Sequence, residues 1–259
     1  SFVVEVKVKL LDRFCRTAMI IGKEGLARLM SCKIAVFGLG GVGSYVVEGL
    51  ARAGIGQFHL VDFDLVDESN INRQIHALTD TIGRYKVELM AQRVQQINPW
   101  ARVSTHCDKY MPGGGEMLVP TDLDYLVDAI DDVAAKVDLI VYSVNKGIPV
   151  ISAMGAGNKL NPRKLEVADI TQTSVCPLAR AVRKKLREAG VNRGIKVVYS
   201  TEIPIRPILH KNFGAGEDAS GLVEKHVCGS ISFVPSVAGL IIAGEVVKDL
   251  LDAHVADVQ

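Results

Sequence analysis

The sequence contains no C-x-x-C pair, although five of its 259 residues are cysteines. This excludes a zinc knuckle and a dithiol redox motif of the usual spacing. An excess of charge of one sign is also missing, because 30 Lys and Arg residues oppose 29 Asp and Glu residues and leave a formal net charge of +1. Such a chain has no overall attraction to polyanions, so any contact with nucleic acid requires a local basic patch.

Long apolar runs and a secretory signal are missing too. The longest apolar stretch near the end, residues 231–244, is interrupted by Pro235 and is too short to span a bilayer. With no secretory signal visible, we expect reduced thiols and a cytoplasmic location. What the chain does have is 48% hydrophobic residues, which is enough to bury a full core.

The stretch from Lys33 to Asp64 predicts a strand, a glycine turn, a helix and a second strand. Apolar runs at 34–37 and 58–61 are typical of strands buried on both faces, and residues 42–53 have helical spacing. Between the first strand and the helix stand Gly38, Gly40, Gly41 and Gly43. Such a turn lets backbone N–H groups approach an anion at a helix N-terminus. Asp62 ends the second strand and can hydrogen-bond a ribose hydroxyl, so we predict a nucleotide site.

Strands and helices continue to alternate along the chain. Apolar runs at 102–107, 123–130 and 148–153 predict further strands, and a helix is expected from 86 to 98. This alternation predicts a doubly wound, Rossmann-like α/β fold with a mostly parallel sheet. After it we expect extra C-terminal strands and a closing helix.

A polar group follows the carboxyl ends of the predicted strands, where open α/β sheets bind ligands. Its members are Asp64, Asn70, Arg73, Gln74, Lys86 and Asp131. A lysine in the first turn of a helix is unusual because the helix dipole disfavours a cation there, but a bound phosphate would reverse that cost. A solvated surface lysine is the plain alternative for Lys86, and helix capping is the plain alternative for Asp132.

The glycine turn alone fits an NAD dehydrogenase equally well, so the charge of the site must decide. Arg73, Lys86 and Asp131 suit a triphosphate with Mg²⁺ better than a pyrophosphate. They would support attack of a carboxylate on the α-phosphorus, with pyrophosphate leaving, while the two cations neutralise the developing charge. The product would be an acyl adenylate, ready for a second nucleophile.

Five separated motifs, G-L-G-G-V-G-S, D-F-D, N-I-N-R-Q, G-R-Y-K and D-A-I-D, occur in this order. They resemble the adenylation domain of ubiquitin-activating-enzyme-like proteins, the family of the molybdopterin-synthase and thiamine-thiocarboxylate activators. The resemblance implies ATP and Mg²⁺ as cofactors, with Asp131 at the metal. It also implies a homodimer in which Arg13 reaches the partner's ATP, and catalytic roles for Arg73, Lys86, Asp131 and Arg13.

Further motifs narrow the resemblance to the tRNA threonylcarbamoyladenosine dehydratase branch. They are R-F-C-R-T-A, N-R-Q-I-H-A-L, M-G-A-G-N-K-L-N-P, T-S-V-C-P-L-A-R and G-E-V-V-K-D-L. This branch implies adenylation of the carboxylate of N6-threonylcarbamoyladenosine at position 37 of tRNA, followed by cyclisation. It implies no zinc, and a single adenylating domain over 1–259 with a nucleotide-binding part at about 10–160 and a substrate-facing part at about 161–259.

Two other activities stay open. One is activation of the C-terminus of a ubiquitin-like or sulfur-carrier protein, with Cys228 or Cys176 as acceptor. The other is a non-catalytic nucleotide-binding or sulfur-relay partner. The resemblance links the family to a cysteine-desulfurase system and matches Cys228, after a predicted long connection over 206–227, to a mobile cysteine.

A predicted helix over 177–189 carries basic residues of one sign. Such a row is usually a solvated face, and a tRNA-facing patch is the functional alternative. The candidate tRNA contacts are Arg180, Arg183, Lys184, Lys185 and Arg187.

Overall fold

The computed structural model describes residues 12–208 and 228–258. The strands are β1 (Lys33–Phe37), β2 (Gln57–Val61), β3 (Arg102–His106), β4 (Tyr125–Asp128), β5 (Val150–Ala153), β6 (Leu165–Asp169) and β7 (Lys196–Ser200). The helices are α1 (Cys15–Ser31), α2 (Gly43–Ala53), α3 (Lys86–Ile97), α4 (Gly115–Leu118), α5 (Val133–Lys146), α6 (Pro177–Glu188) and α7 (Phe233–Val258).

The strands form one sheet in the order β3-β2-β1-β4-β5-β7-β6. All neighbouring strands pair in parallel except β6 and β7, which pair antiparallel. The strand order reverses beside β1, because β2 and β3 lie on one side of it and β4 and β5 on the other. Ligands bind outside the carboxyl ends of the strands at such a switch point. The predicted Rossmann-like, mostly parallel sheet is therefore confirmed.

Helices cover both faces of the sheet, which explains why its central strands are apolar runs. The side chains of β1 alternate between two cores, since successive residues of a strand point to opposite faces. Ile34 and Val36 pack in a cluster with residues of α2, α3 and α7, whereas Phe37 packs in a cluster with residues of α5 and α6. The sheet therefore has one apolar core on each face.

The C-terminal half adds to the same sheet. β6 and β7 are the extra strands that the sequence predicts, and α7 is the closing helix, which begins at Phe233. The long connection predicted over 206–227 lies outside the described residues from 209 onward. Within the described ranges, every helix is too short or too polar for a bilayer crossing.

Candidate active site

A cleft of about 920 Å³ opens at the carboxyl edge of the sheet. Segments that follow four adjacent strands line it: residues 62–64 after β2, the glycine turn after β1, 129–132 after β4 and 153–159 after β5. Neighbouring strands are about 4.8 Å apart, so the first and last of these segments are separated by roughly 14 Å. The volume is near the upper end for small-molecule sites. The cleft can therefore hold an extended ligand and a second reactant.

The glycine turn brings the N-terminus of α2 to this cleft. Gly38 has a φ of 86°, which favours glycine, and a Cβ on Gly43 would overlap the carbonyl oxygen of Gly38. Gly40 and Gly41 line the cleft, while Gly43 is the first residue of α2. The positive end of the helix dipole thus faces the cleft, as a bound phosphate requires.

Asp62 joins the end of β2 to the glycine turn. Its side chain is buried and accepts hydrogen bonds from the backbone N–H groups of Leu39, at 2.5 Å, and Asp64, at 2.8 Å. Burial raises the pKa of Asp62, while these N–H groups and the nearby Lys86 act in the opposite direction. The carboxylate lies where the sequence predicts a ribose contact.

Lys86 is not the solvated surface lysine of the plain alternative. It is the first residue of α3, only 4% exposed, and its Nζ donates to Asp64 Oδ2 at 2.7 Å. The residue lines the cleft, and its ammonium is held by one carboxylate. A cation fixed in this way is available to a phosphate without further ordering.

The N-I-N-R-Q segment supplies the next wall. The Nη1 of Arg73 donates to the carbonyl of Ser69 at 2.8 Å and to Asn72 Oδ1 at 2.9 Å, and the side chain lines the cleft. Asn70 is buried and caps the adjoining turn by accepting the N–H of Asp67. Gln74 is buried too, and its Oε1 has no hydrogen-bond partner among the described residues. A buried acceptor without a donor is unfavourable, so the side chain of Gln74 carries a free-energy cost within the described protein.

Asp131 and Asp132 follow β4 and have different roles. Asp132 accepts the N–H of Ala135 at 2.8 Å and caps α5, which confirms the plain alternative for that residue. Asp131 is exposed and lines the cleft. Among the described side chains, no group of three or more His, Cys, Asp or Glu residues could hold a metal ion. A cation at Asp131 would need further ligands from the bound nucleotide.

A fully buried ion pair lies directly under this loop, and neither of its residues is among the predicted site residues. Lys136 Nζ donates to Asp128 Oδ2 at 2.7 Å, to Ser152 Oγ at 3.2 Å and to the carbonyl of Ala153 at 3.0 Å. The other oxygen of Asp128 accepts the N–H of Ile130 at 3.1 Å. The network ties the loop after β4 to the end of β5. The available signal was helical spacing, because buried residues of α5 follow Lys136 at the third and fourth positions.

The far end of the cleft is formed by the C-terminal half. Cys176 is the N-cap of α6, and Pro177 and Leu178 reach the cleft. Cys228 also lines it, with its thiol against Gly157, and burial raises the pKa of this thiol while Arg73 acts against the shift. The predicted cysteine therefore borders the site.

Arg13 lies outside the cleft of its own chain. Its Nη1 donates to the carbonyls of Gln96, at 3.1 Å, and Ile97, at 2.8 Å, and its guanidinium lies over the ring of Trp100. Arg13 instead borders two smaller cavities away from the glycine turn. The structure brings Arg73, Lys86 and Asp131 to one cleft and leaves Arg13 outside it.

The basic helix α6 is less uniform than its sequence indicates. Arg183 is half-buried and its Nη1 donates to the carbonyl of Thr173 at 2.8 Å and to its Oγ1 at 2.6 Å. The other candidate tRNA contacts are exposed: Arg180, Lys184, Lys185 and Arg187. Arg183 thus fixes the turn before α6, a role that the sequence could not separate from that of its neighbours.

The model of the ThiF family matches residues 14–258 of the chain. The chain belongs to the ThiF family. Its resemblance to ubiquitin-activating-enzyme-like adenylation proteins is thereby confirmed at the level of the family.

Several relatives of this ThiF-family chain have the same name. The tRNA threonylcarbamoyladenosine dehydratase of Bacillus subtilis is 44% identical over 244 residues, which cover 93% of this chain and 96% of that protein. The Escherichia coli protein of the same name is 40% identical over 76% of each chain. A crystal structure of the E. coli enzyme with AMP has a TM-score of 0.85 at 34% identity, covering 95% of this chain and 96% of that one. A second, with ATP, has a TM-score of 0.83 at 33% identity and covers the same shares.

Proposed function

We propose that this protein is an ATP-dependent tRNA threonylcarbamoyladenosine dehydratase. It adenylates the carboxylate of N6-threonylcarbamoyladenosine at position 37 of tRNA and then cyclises it. The observation that carries the proposal is the convergence of Arg73, Lys86 and Asp131 around one glycine turn. The relatives' shared name and the ATP and AMP complexes of the E. coli enzyme support it.

ATP fits the cleft from β2 towards β4. Asp62, at the end of β2, suits the ribose hydroxyls, and the N-terminus of α2 suits the phosphates. Gln74 lines the cleft next to Arg73 and can contact the nucleotide there. Lys86 and Arg73 neutralise the charge on the phosphates as pyrophosphate leaves. No general base is required, because the attacking carboxylate is already ionised.

Mg²⁺ fits this arrangement. The ion is commonly bound by one or two carboxylates together with substrate phosphates and water, and Asp131 offers one exposed carboxylate at the cleft. When bound, Mg²⁺ neutralises phosphate charge. Asp131 would hold it beside the loop that the buried Asp128–Lys136 pair fixes.

Two steps then give the product. A carboxylate oxygen attacks the α-phosphorus, the bond to pyrophosphate breaks, and an acyl adenylate forms. A carbamoyl atom of the same side chain attacks the activated carbonyl, AMP leaves and one proton is released. Because the second nucleophile belongs to the same molecule, its effective concentration is high and an enzyme thioester is unnecessary.

The tRNA face that we propose is one stripe of α6. Arg180, Lys184 and Arg187 are spaced by four and three residues, so they share a helix face, and all are exposed. The helix begins at the cleft with Pro177 and extends about 18 Å from it. Phosphates on either side of an inserted base can therefore lie along this stripe. Lys185 is exposed away from the stripe, and Arg183 is committed to Thr173.

A homodimer and a cytoplasmic location belong to the same proposal. Arg13 uses Nη1 for both carbonyl contacts, and among the described residues Nη2 and Nε make no hydrogen bond, which leaves two donor groups for a phosphate of the partner's ATP. ATP and tRNA are both substrates of the cytoplasm, and we place the reaction there.

Activation of a carrier protein is the second candidate, because Cys228 borders the cleft. The raised pKa of Cys228 disfavours the thiolate that a thioester or a sulfur relay with a cysteine desulfurase would need. The dehydratase is ranked first because relatives that are 44% and 40% identical to this chain carry that name.

The test is mass spectrometry of adenosine 37 in modified tRNA incubated with the protein and Mg-ATP. We expect loss of one water, formation of AMP and pyrophosphate, and a rate lower by about 10²–10³ in Lys86→Ala and in Asp131→Ala. Lys164→Ala and Asp80→Ala remove exposed charges and serve as matched controls. Nucleotide turnover that is unchanged without tRNA would contradict the proposal. Pyrophosphate release driven by a carrier protein would favour the second candidate, and unaffected variants would indicate a non-catalytic role.

A further inference from the structure

The end of the cleft beyond β5 contains a buried ammonium that ATP binding does not use. Lys159 is 5% exposed and lines the cleft. Its Nζ donates to the backbone carbonyl of Glu202, and among the described residues it makes no other hydrogen bond and no ion pair. The Glu202 carboxylate instead accepts the backbone N–H groups of Leu160 and Asn161.

This arrangement leaves a cation incompletely compensated. An ammonium has three donors, and a single backbone carbonyl uses one of them. Burial lowers the pKa of Lys159, which means that its charged form is disfavoured where it lies. The carboxylate of Glu202 acts against this shift without contacting the ammonium, so an anion in the cleft would supply a further hydrogen bond and a countercharge in direct contact.

A second feature with positive electrostatic character lies at the same end of the cleft as Lys159. The N-terminus of α6, a helix of 12 residues, opens on the cleft at Pro177 and Leu178. Its cap residue, Cys176, lies near Lys159, and the Cys176 thiol and the Glu202 carboxylate both act to raise the pKa of this lysine. All the acidic residues that line the cleft come from segments after β2, β3 and β4, and none comes from residue 153 onward within the described chain. This end of the cleft therefore attracts an anion, whereas the β2 end carries carboxylates.

We propose that Lys159 and the N-terminus of α6 form an anion subsite that binds the carboxylate of the threonylcarbamoyl side chain. The inference rests on the proposed function and adds where its substrate binds. ATP extends from β2 across β1 to β4, so the carboxylate approaches the α-phosphorus from the β5 side. Lys159 orients this carboxylate, which is distinct from the roles of Arg73 and Lys86 on the phosphates.

The experiment measures binding of three anticodon stem–loops without ATP. Their adenosine 37 carries the threonylcarbamoyl carboxylate, the corresponding uncharged carboxamide, or no modification. We expect the wild-type protein to bind the carboxylate RNA about 10- to 100-fold more tightly than the carboxamide RNA, as for one charge-assisted hydrogen bond. Lys159→Gln should abolish this preference and leave binding of unmodified RNA unchanged. Lys159→Arg should retain it, and Lys164→Gln, at an exposed lysine, serves as the matched control.

Three other outcomes would refute the carboxylate subsite. Equal weakening of all three RNAs by Lys159→Gln would indicate a bond to tRNA phosphate and would refute the carboxylate subsite. A preference that survives in Lys159→Gln, with thermal unfolding unchanged, would refute it as well. If the wild-type protein itself does not distinguish the carboxylate from the carboxamide, the subsite is refuted, whereas the proposed function is decided by the conversion of adenosine 37. Loss of the preference in Lys159→Gln alone supports both the subsite and the proposed function.

Discussion

The buried Asp128–Lys136 pair offers the sharpest stability prediction. Lys136→Met keeps most of the side-chain volume but removes an ammonium that is completely buried and bonded to three oxygens. The Asp128 carboxylate would keep Ser152 and the N–H of Ile130 but lose its countercharge. Removing one partner of a buried pair costs about 3–5 kcal/mol. In a chain of this size we expect the midpoint of thermal unfolding to fall by roughly 6–20 °C.

The same helix contains a matched control. Lys146 forms an ion pair with Glu116 at the same distance, 2.7 Å, but both side chains are largely exposed. Solvent screens such a pair, so Lys146→Met should lower the free energy of unfolding by only a small fraction of the amount expected for Lys136→Met. Urea denaturation gives the free energy of unfolding of both variants, provided that the dependence of that free energy on urea concentration is the same for each. The double variant Asp128→Asn/Lys136→Met should recover part of the stability, because it leaves no unpaired buried charge.

Two results would refute this account of the pair. One is a Lys136→Met variant that unfolds no earlier than Lys146→Met. The other is a double variant that is less stable than Lys136→Met, since the cost would then come from poorer packing. Because the network fixes the loop of Asp131, weaker binding of Mg-ATP in Lys136→Met should accompany the loss of stability.

Two further predictions concern pH and salt. Burial is the main cause that lowers the pKa values of His59 and His76 to about 4, so the unfolded chain binds protons that the folded chain does not as pH falls from 6.5 to 4. Each histidine should lower the free energy of unfolding by up to about 3 kcal/mol as pH falls through that range. We therefore expect the free energy of unfolding of His76→Leu, measured by urea denaturation, to depend less on pH between 6.5 and 4. The same pH dependence in His76→Leu and the wild-type protein would contradict this. Replacing Arg180, Lys184 or Arg187 with Ala should weaken tRNA binding. It should also reduce the slope of the logarithm of the binding constant against the logarithm of the salt concentration by about one for each phosphate that is no longer bound. Arg183→Ala should mainly lower stability. Equal salt dependence in all four variants would exclude the α6 stripe as the tRNA face.

Several parts of the site followed from local sequence. Gly38 and Gly43 allow a turn that few other residues could form, and alternating apolar runs specify a parallel sheet. Parallel strands place the residues that follow them at one edge, so Asp62 and Asp131 could be assigned to one cleft from the order of the strands. The order of the chain carries this information because a strand, its loop and its helix are neighbours in sequence.

The local sequence could not predict which charged side chains are buried or which groups they pair with. The sequence does not show that Lys86, Lys136 and Lys159 are all buried, and their oxygen partners include groups 22, 8 and 43 positions away. The same holds for Arg183 and Arg180, which lie three residues apart on α6 but differ in exposure. The sequence by itself determined the sheet, the glycine turn and the edge at which the polar residues collect. Only the tertiary structure decided which cations are buried and what they bind, because burial of a charge depends on packing between segments that are distant along the chain.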